Sequence, residues 1–278
     1  MLIITLPMYK IYTFIMALSL RICTYNVHGF SETKCDYIQG LIDIHDIVML
    51  QEHWLYDSQT HVIQNKFPGI SLHCVSGMND KCLSAGGRGY GGCAILWKSS
   101  LSCTVEPVVV DNNRVSIVLI NVHGTRLLLC CVYMPCDTSY DRDNINIYNS
   151  VFNDIFDSNV CNNVDHIMIG GDFNTDLSRT QSAHTLSLNQ MCAREFMKCA
   201  QNLSQFSIDY TYESKSNFTR SCIDHFVLSE GLCDSVELYS VLHDGDNLSD
   251  HDVVSLKVAI SVTHDIVDVS MSDKLLWH

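Results

Sequence analysis

The sequence predicts a single α+β domain of two packed sheets with helices outside, and three observations carry that prediction. Short apolar runs rich in Val and Ile recur along the chain with turn signals between them, as strands do. Helical periodicity is confined to a few stretches. No internal repeat, low-complexity tract or linker rich in Gly, Pro or Ser divides the 278 residues. Many strands with few helices favour sheet on sheet, with helices closing the outer faces.

The elements follow in order. A first strand is expected at 18–25 around Cys23, then a helix at 33–44. Strands follow at 46–51, 71–76, 91–98 (around Cys93), 103–110, 114–121 and 126–134. The last of these, "RLLLCCVYM", buries Cys130 and Cys131, where a free thiol behaves as a small hydrophobe. The stretch 141–160 carries Ile145, Ile147, Tyr148, Val151, Phe152, Ile155 and Phe156, an apolar stripe at helical spacing. A strand at 166–170 precedes a third helix at 182–204, and strands at 223–228, 237–242 and 253–260 complete the chain. The longest irregular stretches, 77–91 and 135–141, are where function tends to sit.

Composition narrows the class. Apolar residues make up 47% and charged residues 17%, so the chain is globular. Its 17 basic and 31 acidic residues give a net charge of −14, which argues against general electrostatic affinity for nucleic acid. The 14 cysteines include no Cys-x-x-Cys pair, which speaks against structural zinc and for a reducing, intracellular setting. Residues 1–17 read as an apolar extension ahead of the domain at 18–262, with 263–278 as a tail. For that extension a signal peptide, a transmembrane helix interrupted by Pro7 and Lys10, and a non-native extension upstream of Met16 all stay open, and with them membrane or secretory targeting.

The polar residues concentrate at the ends of apolar runs. Asn26 ends "RICTYN", Glu52 follows "DIVMLQ", Tyr133 ends "LLLCCVY", and Asp172 and Asn174 end "HIMIGGDFNTD". Asp224 sits inside "SCIDHFVLS", and Asp250 and His251 precede the last strand. Singly, Asn or Asp at a strand end is a usual turn former, and Asp176 reads as a turn or cap residue. His53, His225 and Asp252 read as neighbours that carry no chemistry. Together, several carboxylates at one edge of a sandwich repel one another unless a cation joins them. Carboxylate and amide oxygens suit a hard cation, Mg²⁺ or Mn²⁺, and a histidine with an acidic partner suits acid–base work on a phosphoryl group. That is a plan for metal-assisted phosphodiester hydrolysis.

The ordered motifs YNVHGF, LQEHWL, VYMP, GGDFNTD, IDHF and SDHD resemble the endonuclease/exonuclease/phosphatase superfamily, which includes deoxyribonuclease I, over about residues 18–260. QEHWL, GYGGCAILW and IDHF are most similar to the endonuclease domain of non-LTR retrotransposons. The resemblance implies a four-layer αββα sandwich with its site at one edge. It implies metal ligands Glu52, Asn26 and Asp250. Asp172 would orient or deprotonate the attacking water, Asn174 would bond the scissile phosphate, and Tyr133 would bond the phosphate or assist the leaving oxygen. His251 would sit on the phosphate, oriented by Asp224, with Thr211 near the substrate. Arg88, in "AGGRGYGGC", is the expected contact to a nucleic acid backbone, and Gly89, where relatives often carry proline, is expected to loosen its loop.

The expected activity is Mg²⁺-dependent nicking of DNA that leaves a 3′-hydroxyl, within the nucleus. The partner that follows such domains, a reverse transcriptase, is absent from this chain, and no stable membrane partner is expected. One alternative is a phosphatase or phospholipid phosphodiesterase of the same fold, although Ser221 stands where inositol phosphatases carry tryptophan. Another is a catalytically dead binding domain, which predicts a lost ligand, whereas the core positions are intact.

Overall fold

The computed structural model describes residues 10–80, 88–137 and 142–268. One mixed sheet contains β1 (Lys10–Asn26), β2 (Ile47–Gln51), β3 (Ile70–Val75), β4 (Cys93–Lys98), β13 (Val236–Leu242) and β14 (Val253–Asp268). The second contains β5 (Thr104–Val108), β6 (Val115–Val122), β7 (Thr125–Tyr133), β8 (His166–Asp172), β9 (Met197–Cys199) and β12 (Asp224–Ser229). A small hairpin, β10 (Tyr212–Glu213) and β11 (Arg220–Ser221), stands apart from both. The helices are α1 (Glu32–Ile44), α2 (His61–Lys66), α3 (Arg142–Ile155), α4 (Ser158–Cys161), α5 (Ala183–Arg194) and α6 (Glu230–Cys233). Strand orders are β13-β14-β1-β2-β4-β3 and β5-β6-β7-β8-β12-β9.

The two-residue period of the strands makes the layers. In β2, Ile47 and Met49 face the other sheet, while Val48 and Leu50 face α1 and α2. In β7, Leu127, Leu129 and Cys131 face inward, while Leu128, Cys130 and Val132 meet α3 and α5. Between the sheets Ile22, Met49, Leu129, Phe226 and Leu256 form a fully buried core. Outside, Ile38 and Leu41 of α1 and Ile63 of α2 cover one sheet, and Val151, Phe152, Leu188 and Met191 cover the other. Each fully buried Leu, Ile or Phe contributes about 1.5–3 kcal/mol. The result is a four-layer α/β/β/α sandwich of mixed sheets.

Several expected elements differ in extent. The first strand reaches back to Lys10 and pairs antiparallel with β14 as far as Asp268, so it runs through all of 10–17, the part of the expected extension that lies within the described residues. No helix among the described residues is long and apolar enough to cross a membrane. The helix expected over 141–160 ends at Ile155, and Asp157 then caps the short α4 by accepting from Asn159 N–H at 2.7 Å. Within its stripe Ile147 is exposed. The helix expected over 182–204 ends at Arg194, Phe196 adopts φ +53°, and β9 pairs with Val227–Ser229. A free strand edge outcompeted local helical periodicity there. Residues 81–87 and 138–141, within the two expected loops, lie outside the described residues.

Candidate active site

The site sits where central strands of both sheets end. In the second sheet, parallel β7 and β8 place Tyr133 beside Asp172, and antiparallel β12 places Asp224 on the other side of Asp172. Those residues form one row across three strands. Gly171 makes the row possible: it has φ +148°, and a Cβ there would lie 2.0 Å from the Val132 carbonyl oxygen. In the first sheet, parallel β1 and β2 bring Asn26 beside Gln51 and hence next to Glu52. His251 precedes β14 and bridges to Tyr212.

The side chains converge. The Asn26 amide donates to Glu52 Oε1 and to Asp172 Oδ2, each at 2.9 Å, while its oxygen accepts His28 N–H at 3.0 Å. In this orientation its nitrogen faces the carboxylates, so ligation of a cation through its oxygen requires the amide to turn. Asp172 Oδ1 accepts Asn174 N–H at 2.8 Å, and the Asn174 side chain donates to Met134 O at 2.8 Å. Asp224 Oδ2 accepts His251 Nδ1–H at 2.9 Å and the Thr211 hydroxyl at 2.7 Å. With Nδ1 so engaged, His251 Nε2 faces Asp172 Oδ2 at 3.9 Å.

Burial sets the charges. Asp172 is 1% exposed, and burial, then the charge of Asp224, pushes its carboxyl up to about 7 against the lowering effect of His251. Burial by itself lowers His251, but Asp224 and Asp172 outweigh it and hold the imidazolium up to about 10. Asp250 is desolvated, yet the hydrogen bond from His28 and the charge of His251 keep it below the usual carboxylate range. Burial, followed by the charges of Glu52 and Asp172, drives the Tyr133 phenol well above its usual range, so it is a proton donor at any working pH.

A cleft of about 400 Å³ opens over these groups, and Glu52, Tyr133, Asp172, Asn174, Asp250 and His251 line it together with Arg88. Asn26 is fully buried behind Glu52 and Asp172, to which it is bonded. Asp224 lies beneath His251. Thr211, expected beside the substrate, is instead wholly buried; its hydroxyl also accepts Ile223 and Asp224 N–H at 3.0 Å, so it braces Asp224. Asp176 accepts Ser178 N–H at 2.9 Å in a local turn. His53, bonded to Leu55 N–H and Val75 O, and His225, bonded to Thr175 O, face away into packed surroundings. Asp252 engages His243 and Asn247.

The sequence reading missed His28, Trp54 and Arg179. His28 donates Nδ1–H to Asp250 at 2.6 Å, Trp54 donates its indole N–H to Glu52 Oε2 at 2.9 Å, and Arg179 donates to Ser221 Oγ at 3.1 Å on the far wall. A signal existed for the first two. Each stands two residues after a site residue, in the turn just past a strand end, where His28, Glu52, Trp54 and Asn174 all take positive φ.

The donor set suits a hard divalent cation: carboxylate and amide oxygens at one sheet edge, with Asp172 pushed to about 7 by burial first and then by the charge of Asp224. Buried Asp224 Oδ1 has no hydrogen-bond partner among the described residues.

Comparisons with known proteins agree with this fold. Solved structures similar to the chain include the Xenopus laevis APE2 catalytic domain, at 16% identity and a TM-score of 0.65, with 87% of this chain and 93% of that one covered. The 3′-5′ exonuclease NExo from Neisseria meningitidis matches at 18% identity and a TM-score of 0.63, covering 86% and 99%. The endonuclease domain of TRAS1, a telomere-specific non-LTR retrotransposon, matches at 14% and 0.62, covering 87% and 98%. These likenesses speak for the fold. No curated protein matches the sequence. The model of the Endonuclease/Exonuclease/phosphatase family matches residues 23–251, most of the chain and every site position described above. The chain belongs to the Endonuclease/Exonuclease/phosphatase family.

Proposed function

We propose that the protein is a divalent-metal-dependent phosphodiesterase that nicks DNA and leaves a 3′-hydroxyl. The observation that carries the reading is the Asp224–His251–Asp172 constellation, in which His251, braced from beneath by Asp224, and Asp172 line an open cleft together with the Tyr133 phenol and Asn174. Atoms of Asp172, Asp224 and His251 lie within 4.8 Å of one another, a spacing that also suits a cation. Asp224 and His251 are already bonded to each other, so we place the cation at Glu52, with Asp250 and a turned Asn26 as further ligands. When bound, Mg²⁺ or Mn²⁺ neutralises charge developing on the scissile phosphate.

The remaining work belongs to the side chains. Asp172, ionised, takes the proton of the attacking water, and Asn174 and Asn26 hold its carboxylate in place. His251, cationic and fixed by Asp224, presents Nε2–H to a phosphoryl oxygen. Tyr133 donates its phenolic proton toward the leaving oxygen. DNA is the substrate in this reading. A reverse transcriptase partner and nuclear action fit a retrotransposon-type enzyme and belong to the same proposal. Supercoiled plasmid with Mg²⁺ or EDTA tests it, the nicks being probed by extension with DNA polymerase. Metal-dependent nicks that are extended support it; blocked ends or no nicking contradict it. The full chain is the right material, because truncation at Met16 cuts into β1.

A further inference from the structure

At the mouth of the cleft one cation is joined through two aromatic rings to two carboxylates. Arg88 Nη2–H donates to His28 Nε2 at 2.9 Å, and the guanidinium carbon lies 5.0 Å from the centre of the Trp54 ring. Because His28 accepts at Nε2, its proton is on Nδ1, which donates to Asp250 Oδ1 at 2.6 Å. Trp54 in turn donates its indole N–H to Glu52 Oε2 at 2.9 Å. The two rings meet edge to face, 4.9 Å apart at 75°.

Trp54 has little freedom. A Cβ at Gly29 would lie 2.5 Å from Trp54 Cε3, and one at Gly89 would lie 2.7 Å from Trp54 Cβ. Two backbone segments therefore close on the residue, which reverses the expectation that Gly89 loosens its loop: the glycine lets the loop approach. His28 takes one of the five N–H donors of a guanidinium, so Arg88 keeps others for an anion. A stacked, hydrogen-bonded fork loses less freedom on binding than a free side chain does. On a chain of net charge −14, general attraction to a polyanion is absent, and recognition must rest on a few fixed groups.

We propose that His28 and Trp54 are positioning residues that hold Arg88 as a preset phosphate-binding fork at the cleft mouth and tie it to Asp250 and Glu52. The ligand is a phosphodiester neighbouring the scissile one, and in that respect the inference rests on the nuclease reading. The rings hold Arg88 on one side and the two carboxylates on the other, so the same rings serve binding and turnover.

The test uses the full chain with Arg88→Ala, His28→Ala, their double variant, His28→Gln and Trp54→Phe, each checked for unchanged cooperative unfolding. Affinity for a short DNA duplex is read by fluorescence anisotropy in EDTA, and KM and kcat by plasmid nicking in Mg²⁺. Arg88→Ala is expected to weaken duplex binding and raise KM about tenfold with kcat within about twofold. His28→Ala should reproduce most of that loss and also lower kcat, and His28→Gln, which can accept and donate, should recover it. The double variant should bind no more weakly than the worse single one. Trp54→Phe keeps a ring beneath Arg88 but loses the bond to Glu52, so it should lower kcat more than affinity. Losses that multiply in the double variant, or a His28→Ala protein that binds like wild type, overturn the proposal. A wild type that binds the duplex with non-additive losses but never nicks sustains the fork and refutes the nuclease; a wild type that does not bind overturns the fork.

Discussion

Asp224 accepts the Nδ1 proton of His251 at 2.9 Å, and that single bond turns the opposite ring nitrogen toward Asp172. The Thr211 hydroxyl holds Asp224 from below, accepting two backbone N–H groups while donating to the carboxylate. Thr211→Val keeps the shape and removes these bonds. It should destabilise the protein by about 2 kcal/mol and lower kcat about tenfold, with Thr211→Ser restoring both. Thermal unfolding and nicking kinetics check it; an unchanged kcat would mean that Asp224 is held by other means.

The pH dependence of the metal-free protein follows from the same row. In the fold Asp172 keeps its proton up to about 7, against 3.8 for a free side chain. Its contribution to stability is therefore complete below about 4 and is lost as pH rises through 7. His251, raised to about 10 from 6.5, carries the loss on between those values. In EDTA, Asp172→Asn should gain Tm over wild type as pH goes from 4 to 8. A wild type that gains on the variant over that range would contradict the assignment.

Tyr133 is a donor in this account, never a phenolate, because burial and the charges of Glu52 and Asp172 oppose its ionisation. Tyr133→Phe should cost about 10²-fold in kcat with the fold intact, as loss of one preorganised donor does. A wild-type rate that rises steeply with ionisation near pH 10 would argue for the phenolate instead.

At Gly171 the chain tolerates no side chain, since a Cβ would approach the Val132 carbonyl oxygen to 2.0 Å at φ +148°. Gly171→Ala should destabilise by roughly 3 kcal/mol and displace Asp172. Equal stability of variant and wild type in urea unfolding would show that β8 can shift past β7 without cost.

Much of this architecture is written in residue periodicity. The unbroken apolar runs of β2 and β7 announce strands buried on both faces, and the polar ends of β1, β7 and β8 mark the edge where the site lies. What the sequence conceals depends on partners remote in the chain. β9 exists because β12 offers an edge, although the local pattern runs on as a helix. Thr211 is a brace because Asp224, thirteen residues on, lands above it. His28 and Trp54 read as ordinary members of their motifs until Asp250 and Arg88 arrive from distant loops.

The central claim is that Asp172 is the base of a metal-dependent DNA nicking reaction. The most direct measurement is single-turnover nicking of supercoiled plasmid by the full chain in Mg²⁺, beside Asp172→Asn of matched foldedness. The account predicts rapid conversion to open circles by wild type, abolished by EDTA, and at least about 10³-fold slower in the variant. Equal rates for the two proteins, or no nicking by a folded wild type, would contradict it.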